Sequence, residues 1–507
     1  MQTFHYDLVI IGSGAGGGTM ARALAGTGAR ILIVERGDVV PVEDANWSPR
    51  SVWQDGRYRS TELWLNADGR EFSPLTHYNV GGNTKFWGSV LYRLRREDFM
   101  AVEHADGVSP AWPIDYETLA PYYAEAERLY QVHGGVGDDP TEPPREAYPY
   151  PPVPHSDEIA EIIARLRGMG LHPSPLPLGL IRPGEDGGCQ LCGTCNSFPC
   201  RIGAKSDAET CGVLPATRHA NVTLWTNAFA GRLIASTDGR RIDAVEVTRT
   251  DGPARVSAPV VVVACGAVNS AALLLRSRDR HPEGLANSSG LVGRRYMAHM
   301  ATMMQGFHPW RVNHTVFQKT VAINDFYLRG PDSPYPLGQI QSQGRTHGVM
   351  AKVVGDTIVP GIPLGAYDWW VERGVDWLAM SEDLPSADNR VTVTPGGRIR
   401  LAYRPNNVTA HVTLVREAKR ILRRLGFWIV MTHSHQLKNT THQCGTLCFG
   451  TDPRTSVLDP YCRAHDLENL FVVDASFFPS SAAVNPGLTI AAQALRVAEH
   501  IRAGHLR

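Results

Sequence analysis

Near the start of the chain, Gly12-Ser13-Gly14-Ala15-Gly16-Gly17 has the form G-x-G-x-x-G, and an acid, Glu35, follows one short helix and one strand later. In such a pattern Gly12 permits a tight turn, Gly14 lets the backbone approach a pyrophosphate, and Gly17 lets the helix lie close to the sheet. The pyrophosphate would rest on the helix N-terminus, and Glu35 would accept hydrogen bonds from the ribose hydroxyls. The spacing predicts a dinucleotide site without separating NAD from FAD. At the far end, Asn485-Pro486-Gly487 reads as a helix start, with Asn485 as N-cap and Pro486 as first helical residue. Free N–H groups and the positive end of the helix dipole would favour an anion there, and a reduced flavin, with charge over N1 and O2, is one. An ordinary helix closing the domain is the alternative, as a surface acid is for Asp474.

Cysteines supply a second chemistry. Cys189-x2-Cys192-x2-Cys195-x4-Cys200 sits in a Gly-rich loop that ends Ile202-Gly203-Ala204-Lys205. The run resembles those that hold iron–sulfur clusters, although its last gap is one longer than the ferredoxin pattern and no proline follows Cys200. Paired C-x2-C is also a zinc half-site, and thiols or disulfides stapling the loop are a third reading. A structural role is expected ahead of a cluster, and no metal is assigned. His433 and His435 form an H-x-H pair with no third ligand suggested nearby, so both are read as surface or packing residues.

These residues need elements to hold them. Residues 6–11 read as a buried parallel strand, residues 18–28 as a small-residue helix, and residues 30–34 as a second strand. Val260 to Cys265 and residues 469–473 are further buried strands, and a long helix is expected from about Gly487 to Ala503. An amphipathic helix spans about Leu119 to Tyr130, followed by a Pro-rich connection from Asp138 to Pro154. Alternating segments at 301–304, 338–345, 390–393 and 399–403 predict an antiparallel sheet. In one of them Gln339, Gln341 and Gln343 share a face, which would suit a polyhydroxylated ligand if that face lined a cavity. Trp369, Trp370 and Trp377 are candidate stacking planes for sugar rings, with Gln318 and Lys319 as further polar candidates. A solvent-facing sheet with core tryptophans is the alternative.

The whole composition narrows the classes. The chain has 507 residues, 43% of them hydrophobic, enough for two or three packed units. Lys+Arg and Asp+Glu are both 50, so no basic excess exists to neutralise nucleic acid. Its longest strongly apolar run, around Val260 to Cys265, falls far short of the roughly 20 residues that a membrane helix needs. No membrane association is expected. The opening Met1-Gln2-Thr3-Phe4-His5-Tyr6 lacks the features of a signal peptide, so a cytoplasmic location is expected.

Together these pieces resemble the glucose–methanol–choline (GMC) flavoprotein oxidoreductases, and the match runs almost end to end. Besides the glycine turn, Val80-Gly81-Gly82-Asn83-Thr84-Lys85-Phe86-Trp87-Gly88 looks like that family's first signature. Asn287 to Arg294 is similar to its stretch after the third sheet strand, and HQCGT…VVDASFFPS…VNPGLT, from His442 to Thr489, is similar to its closing motif. The resemblance is to sugar- and glycoside-oxidising branches, pyranose oxidases among them, chiefly through ACGAVNSAALLLRS and the Asn485 form of the last motif.

The resemblance implies an α/β fold: a Rossmann-like FAD-binding domain assembled from discontinuous segments, plus an α+β substrate domain with an antiparallel sheet. It divides the chain into FAD-binding segments at 1–105, 206–300 and 441–507 and a substrate domain at 301–440. Between them, 106–205 carries the substrate-side helix, the Pro-rich connection and the Cys-rich loop. It implies His442 as general base and Asn485 as its oxygen-binding partner. Implied cofactor contacts are Gly12, Gly14, Ala15, Gly17, Glu35, Arg36, Gly81, Gly82, Asn83, Thr84, Phe86, Trp87, Phe229, Cys265, Gly266, Asp474, Asn485, Pro486 and Thr489. Covalently flavinylated members carry a histidine where this chain has Phe86, so FAD bound without a covalent bond is expected. The implied substrate is the hydroxyl of a sugar or glycoside, with Gln339, Gln341, Gln343 and Trp377 as candidate contacts. Electrons would pass to oxygen or another acceptor. The alternatives are an iron–sulfur dehydrogenase feeding a small electron-transfer partner, an oxidoreductase of apolar alcohols, a catalytically dead FAD-binding subunit in an oligomer, and a nicotinamide dehydrogenase.

Overall fold

The computed structural model describes residues 1–434, 437 and 440–506. Its centre is a five-stranded parallel sheet whose order across the sheet is Val222–Trp225, Ile31–Val34, Leu8–Ile11, Val260–Val263, Leu470–Val472. The strands at 8–11, 31–34, 260–263 and 470–472 are buried at every residue, as their unbroken runs of β-branched and aliphatic side chains require when helices cover both faces. Leu8–Ile11 is followed by Ile31–Val34 on one side and flanked by Val260–Val263 on the other. The chain therefore reverses its winding there, and a crevice opens at the carboxyl ends of the two central strands. Gly12 and the Ala264–Gly266 turn form the lips of that crevice.

The first helix, Ala15–Leu24, begins earlier than its small-residue pattern suggested, because Gly14 already provides the extended residue before it. It ends through a short 3₁₀ turn at Gly28, whose φ of +83° is the left-handed conformation that glycine adopts without strain. This helix packs against the long closing helix, Gly487–Gly504.

A six-stranded sheet lies beside the crevice in the order Ile429–Ser434, Met300–Phe307, Gly374–Ser381, Gln339–Ser342, Val321–Ile323, Pro173–Pro175, antiparallel throughout. The amphipathic helix Val408–Arg424 covers one face, burying Leu414, Ala418 and Ile421 among Met304, Ile340 and Trp377. Residues 390–393 and 399–402 are strands as expected but belong to a second six-stranded sheet with Arg294–Met297, Cys444–Thr446 and two short strands at 64–65 and 71–72. Alternation identifies a pleated segment but not its neighbour, which long-range packing decides. A four-stranded sheet built from Gln2–His5 and residues 229–257 completes the nucleotide side. No helix among the described residues is long and apolar enough to cross a membrane.

Candidate active site

The crevice deepens into a cavity of about 470 Å³ that runs from Gly12, Glu35 and Arg36 at one end to His442 and Asn485 at the other. Glycine chemistry shapes the first end. A Cβ on Gly17 would stand 2.0 Å from the Gly12 carbonyl oxygen, and one on Gly16 would stand 2.0 Å from that of Val473. Both residues thus bring the first helix onto the sheet, while Gly14 has open space above it on the cavity wall. Glu35, at the end of its strand, accepts from Ser13 N at 3.1 Å, Ser13 Oγ at 2.6 Å and Gly37 N at 3.0 Å. Those bonds occupy three of the roughly four lone-pair sites of a carboxylate. Burial pushes its pKa upward against those bonds. Arg36 lies over the rings of Tyr78 (3.9 Å) and Phe229 (4.9 Å) and pairs with Glu62 at 3.0 Å.

The 81–88 turn forms one wall. Gly81 and Gly82 take positive φ, and the Gly81 N–H donates to Ser13 Oγ at 3.1 Å, tying this turn to the first glycine turn. Gly82, Asn83, Thr84, Phe86 and Trp87 line the cavity; Gly81 lies behind. The Asn83 side-chain oxygen accepts from His77 N at 2.8 Å, and Thr84 Oγ donates to Gly81 O at 2.6 Å. Phe86 stacks on His77 at 3.7 Å, and burial pushes the His77 ring down to about 4. Trp87 stands so close to the closing helix that a Cβ on Gly487 would meet its ring at 2.6 Å.

Cys265, Gly266 and Asp474 form the opposite lip. Asp474 is a buried anchor: it accepts from Gly266 N at 2.9 Å and from the Ser270 hydroxyl on one oxygen, and from Ser476 N at 2.9 Å on the other. The expected cap at 485 is corrected by the structure. Pro486, with φ −80° and ψ −11°, is the residue before the helix, and no side chain caps it. Asn485 instead presents its amide to the cavity, where its buried Oδ1 has no hydrogen-bond partner among the described residues. Pro486 lines the cavity with it, whereas the Thr489 hydroxyl is taken by Tyr123 OH at 2.8 Å and lies off the wall.

Two histidines meet beyond this lip. His442 lines the cavity, and its Nδ1 is 2.9 Å from Nδ1 of His299, whose Nε2 lies 3.0 Å from the Ser481 carbonyl oxygen. Above them the antiparallel sheet contributes Met303, Gln341 and Leu378, and the segments flanking its strands add Lys319, Gln343 and Thr346. Gln341 is almost wholly buried and both of its amide atoms lack partners among the described residues. Gln339, on the same face, is further along the strand and donates to Asn324 Oδ1 at 2.8 Å, so it does not reach the cavity. Trp377 is a correction: it pairs in register with Ser342, one position off the Gln341–Leu378 pair, which sends its indole to the core face under Val408–Arg424. Trp369 and Trp370 pack against Phe307 instead of the cavity. Gln318 is buried between Asn313 and Asp376.

Two stretches, residues 177–301 and 384–494, match family models of GMC oxidoreductases. Across 98% of its length the chain is 33% identical to paromamine 6'-oxidase of Streptomyces fradiae, covering 91% of that protein. This chain is a GMC oxidoreductase. It is also 32% identical to 6'''-hydroxyparomomycin C oxidase of Streptomyces lividus, over 99% of this chain and 92% of the other. Among solved structures, pyridoxine 4-oxidase from Mesorbium loti shares the fold at TM-score 0.66 and 19% identity, covering 97% of this chain and 98% of its own.

In this GMC oxidoreductase the Cys-rich loop braces the cavity wall. All four thiols are unpaired and border one narrow cleft with room for about 10 Å³, at most a single water molecule. Among the described residues no three His, Cys, Asp or Glu side chains are arranged to hold a metal ion, so the cluster alternative finds no support there. What holds the loop is Lys205, whose buried ammonium reaches the carbonyls of Lys85 (3.1 Å), Trp87 (3.0 Å), Cys195 (2.8 Å) and Phe198 (2.6 Å). Lys85 in turn pairs with Asp207 at 3.0 Å and with Glu209. The sequence marks Lys205 only as the end of the loop and carries no local mark of Lys85 or His299 as partners, because the burial that forces a lysine to find acceptors is set by the fold. Lys319 bonds Gly88 O and Asn196 Oδ1, each at 3.0 Å, and burial without a carboxylate beside it pushes it down to about 8. His433 sits on the edge strand Ile429–Ser434, and His435 lies outside the described residues.

Proposed function

We propose that this enzyme uses non-covalently bound FAD to oxidise a primary or secondary hydroxyl of a sugar or glycoside to the carbonyl. The observation that carries the proposal is the cavity itself, which joins a dinucleotide-type glycine turn to His442, Asn485 and an unsatisfied buried glutamine. Unpaired buried amides cost about 1–3 kcal/mol each, so Asn485 Oδ1 and Gln341 are fitted to a polar occupant and not to a void or an apolar one. Gly12, Gly14, Ala15, Glu35, Arg36 and Phe229 would hold the nucleotide end of FAD, with Gly17 and Gly81 supporting from behind. Gly82, Asn83, Thr84, Phe86, Trp87, Cys265, Gly266, Asp474 and Pro486 would surround its ring end. When bound, FAD supplies the two-electron acceptor for the hydrogen leaving the alcohol carbon.

The chain's own residues supply the rest. His442 takes the hydroxyl proton, as the side chain whose ordinary pKa lies nearest neutrality. The Asn485 amide binds the substrate oxygen without competing for that proton. Gln341 and Gln343 present amides that donate and accept, a match for vicinal hydroxyls, and the two similar relatives named as oxidases of paromamine and of 6'''-hydroxyparomomycin C support a sugar-derived substrate. Phe86 offers no nucleophile for a covalent link.

Anaerobic mixing with a panel of sugars, glycosides, polyols and sterols tests this reading. Loss of the oxidised-flavin absorbance with a sugar or glycoside is expected, and bleaching by sterols alone, or by nothing, overturns it. Acid precipitation of the same protein should leave all flavin in the supernatant; a yellow pellet rejects non-covalent binding.

A further inference from the structure

With His299 neutral, its contacts to Ser481 and His442 determine where the protons of this chain sit. A backbone carbonyl can only accept, so His299 Nε2, at 3.0 Å from Ser481 O, must carry its hydrogen. His299 is buried, and burial favours its neutral ring, with the Glu382 carboxylate as a weaker opposing influence. A neutral ring protonated at Nε2 has its lone pair at Nδ1. Two imidazole nitrogens 2.9 Å apart must share one proton, so His442 donates from Nδ1 and its own lone pair sits on Nε2.

We propose that His299 is a positioning residue that fixes the base His442 in the Nδ1–H tautomer. A free histidine side chain prefers the opposite tautomer, which would leave its outer nitrogen already protonated and unable to act as a base. The arrangement serves the same purpose as the acid behind the histidine of a catalytic triad, with a neutral ring in place of a carboxylate. When His442 takes up a proton, its Nδ1–H···Nδ1 bond to His299 becomes charge-assisted and strengthens. The ring that must not move is itself secured, because Ser481 is held by two hydrogen bonds to the Asp383 backbone, N–H to Oγ at 3.0 Å and Oγ to carbonyl at 2.9 Å.

The inference rests on His442 being the base, but its test does not depend on turnover. In holoenzyme labelled with ¹⁵N-histidine, long-range ¹H–¹⁵N correlation reports which ring nitrogen carries hydrogen, and His442→Gln identifies the His442 signals. The wild type should show His442 protonated at Nδ1 and bare at Nε2. In His299→Leu it should change to the Nε2–H form, and the anaerobic flavin-reduction rate constant should fall roughly 10- to 100-fold with substrate affinity kept. His299→Asn, which keeps a side-chain acceptor facing Nδ1, should restore most of the rate and the Nδ1–H form, and it serves as the test variant should the leucine protein not fold. An unchanged His442 tautomer without the His299 ring overturns the proposal. A wild-type flavin bleached by no sugar overturns instead the assigned reaction, and leaves the tautomer result standing by itself.

Discussion

Asn485 Oδ1 and the two amide atoms of Gln341 are buried polar atoms facing the cavity without a partner among the described residues, and each carries a cost in the empty protein that a ligand would relieve. Asn485 makes no cap bond to the closing helix, so its two roles separate. Asn485→Ala should slow flavin reduction by roughly 100-fold, the scale for removing one preorganised hydrogen-bond donor, while global stability is kept or raised, because an unpaired buried amide is removed. Stopped-flow reduction and urea unfolding of the same preparation check both halves. Equal loss of rate and stability would return Asn485 to a structural part. The residue types at the first glycine turn and in H-x-x-G-T were legible because few sequences need them in that order. His299 was not, since nothing local distinguishes a histidine in Met297-Ala298-His299-Met300 from any core histidine until the fold brings it to His442.

Elements were readable where periodicity was strong and unreadable where pairing was remote. Val260–Val263 could only be a buried strand, and Gly487–Gly504 could only be a helix. The glutamine face of Gln339–Ser342 was correctly drawn as a face, but which of its residues reach the cavity depends on how far the strand runs past Leu378. At this scale Gly17 leaves no room for a side chain against the Gly12 carbonyl, and Gly17→Val should push the first helix off the sheet. The purified variant should show a flavin-to-protein ratio near zero while keeping most of its far-UV circular dichroism; full flavin content would mean that the helix tolerates the shift. The helix Val408–Arg424 offers a pH test. His411 on it is buried between Thr302 Oγ1 at 2.8 Å and Ser381 Oγ at 3.1 Å, and burial pushes it down to about 4. The unfolded chain binds a proton there below about 6.5 whereas the folded protein resists it, so stability rises with pH between about 4 and 6.5 and is lost as pH falls through that window. His411→Gln should flatten the slope of Tm against pH across this range, even though it lowers Tm at neutrality. Parallel slopes would show that this ring is not kept neutral by the fold.

At the scale of the whole molecule, the nucleotide sheet draws its strands from residues 8 to 472, and the second six-stranded sheet joins residues 64–72 to 444–446. This interleaving is hard to read from sequence, because a parallel sheet leaves no local mark of which distant strand lies next to which. The cavity is bounded by nearly all of these segments, so FAD bound there would bridge them. Removing FAD should lower Tm, and adding it back at a hundred times its Kd should restore about 2.7 kcal/mol, read as a concentration-dependent rise in Tm. A Tm indifferent to added FAD would mean that these segments hold together without it.

Leu470–Val472 is hydrogen-bonded to Val260–Val263, so the sheet's edge stays open during synthesis until that strand leaves the ribosome. Nascent chains must therefore keep the aliphatic strands Leu8–Ile11, Ile31–Val34 and Val260–Val263 from aggregating while more than two hundred later residues are made. The cavity is lined as far along as Ile490, so in this architecture a dinucleotide pocket is complete only once the last strand and the closing helix have been made.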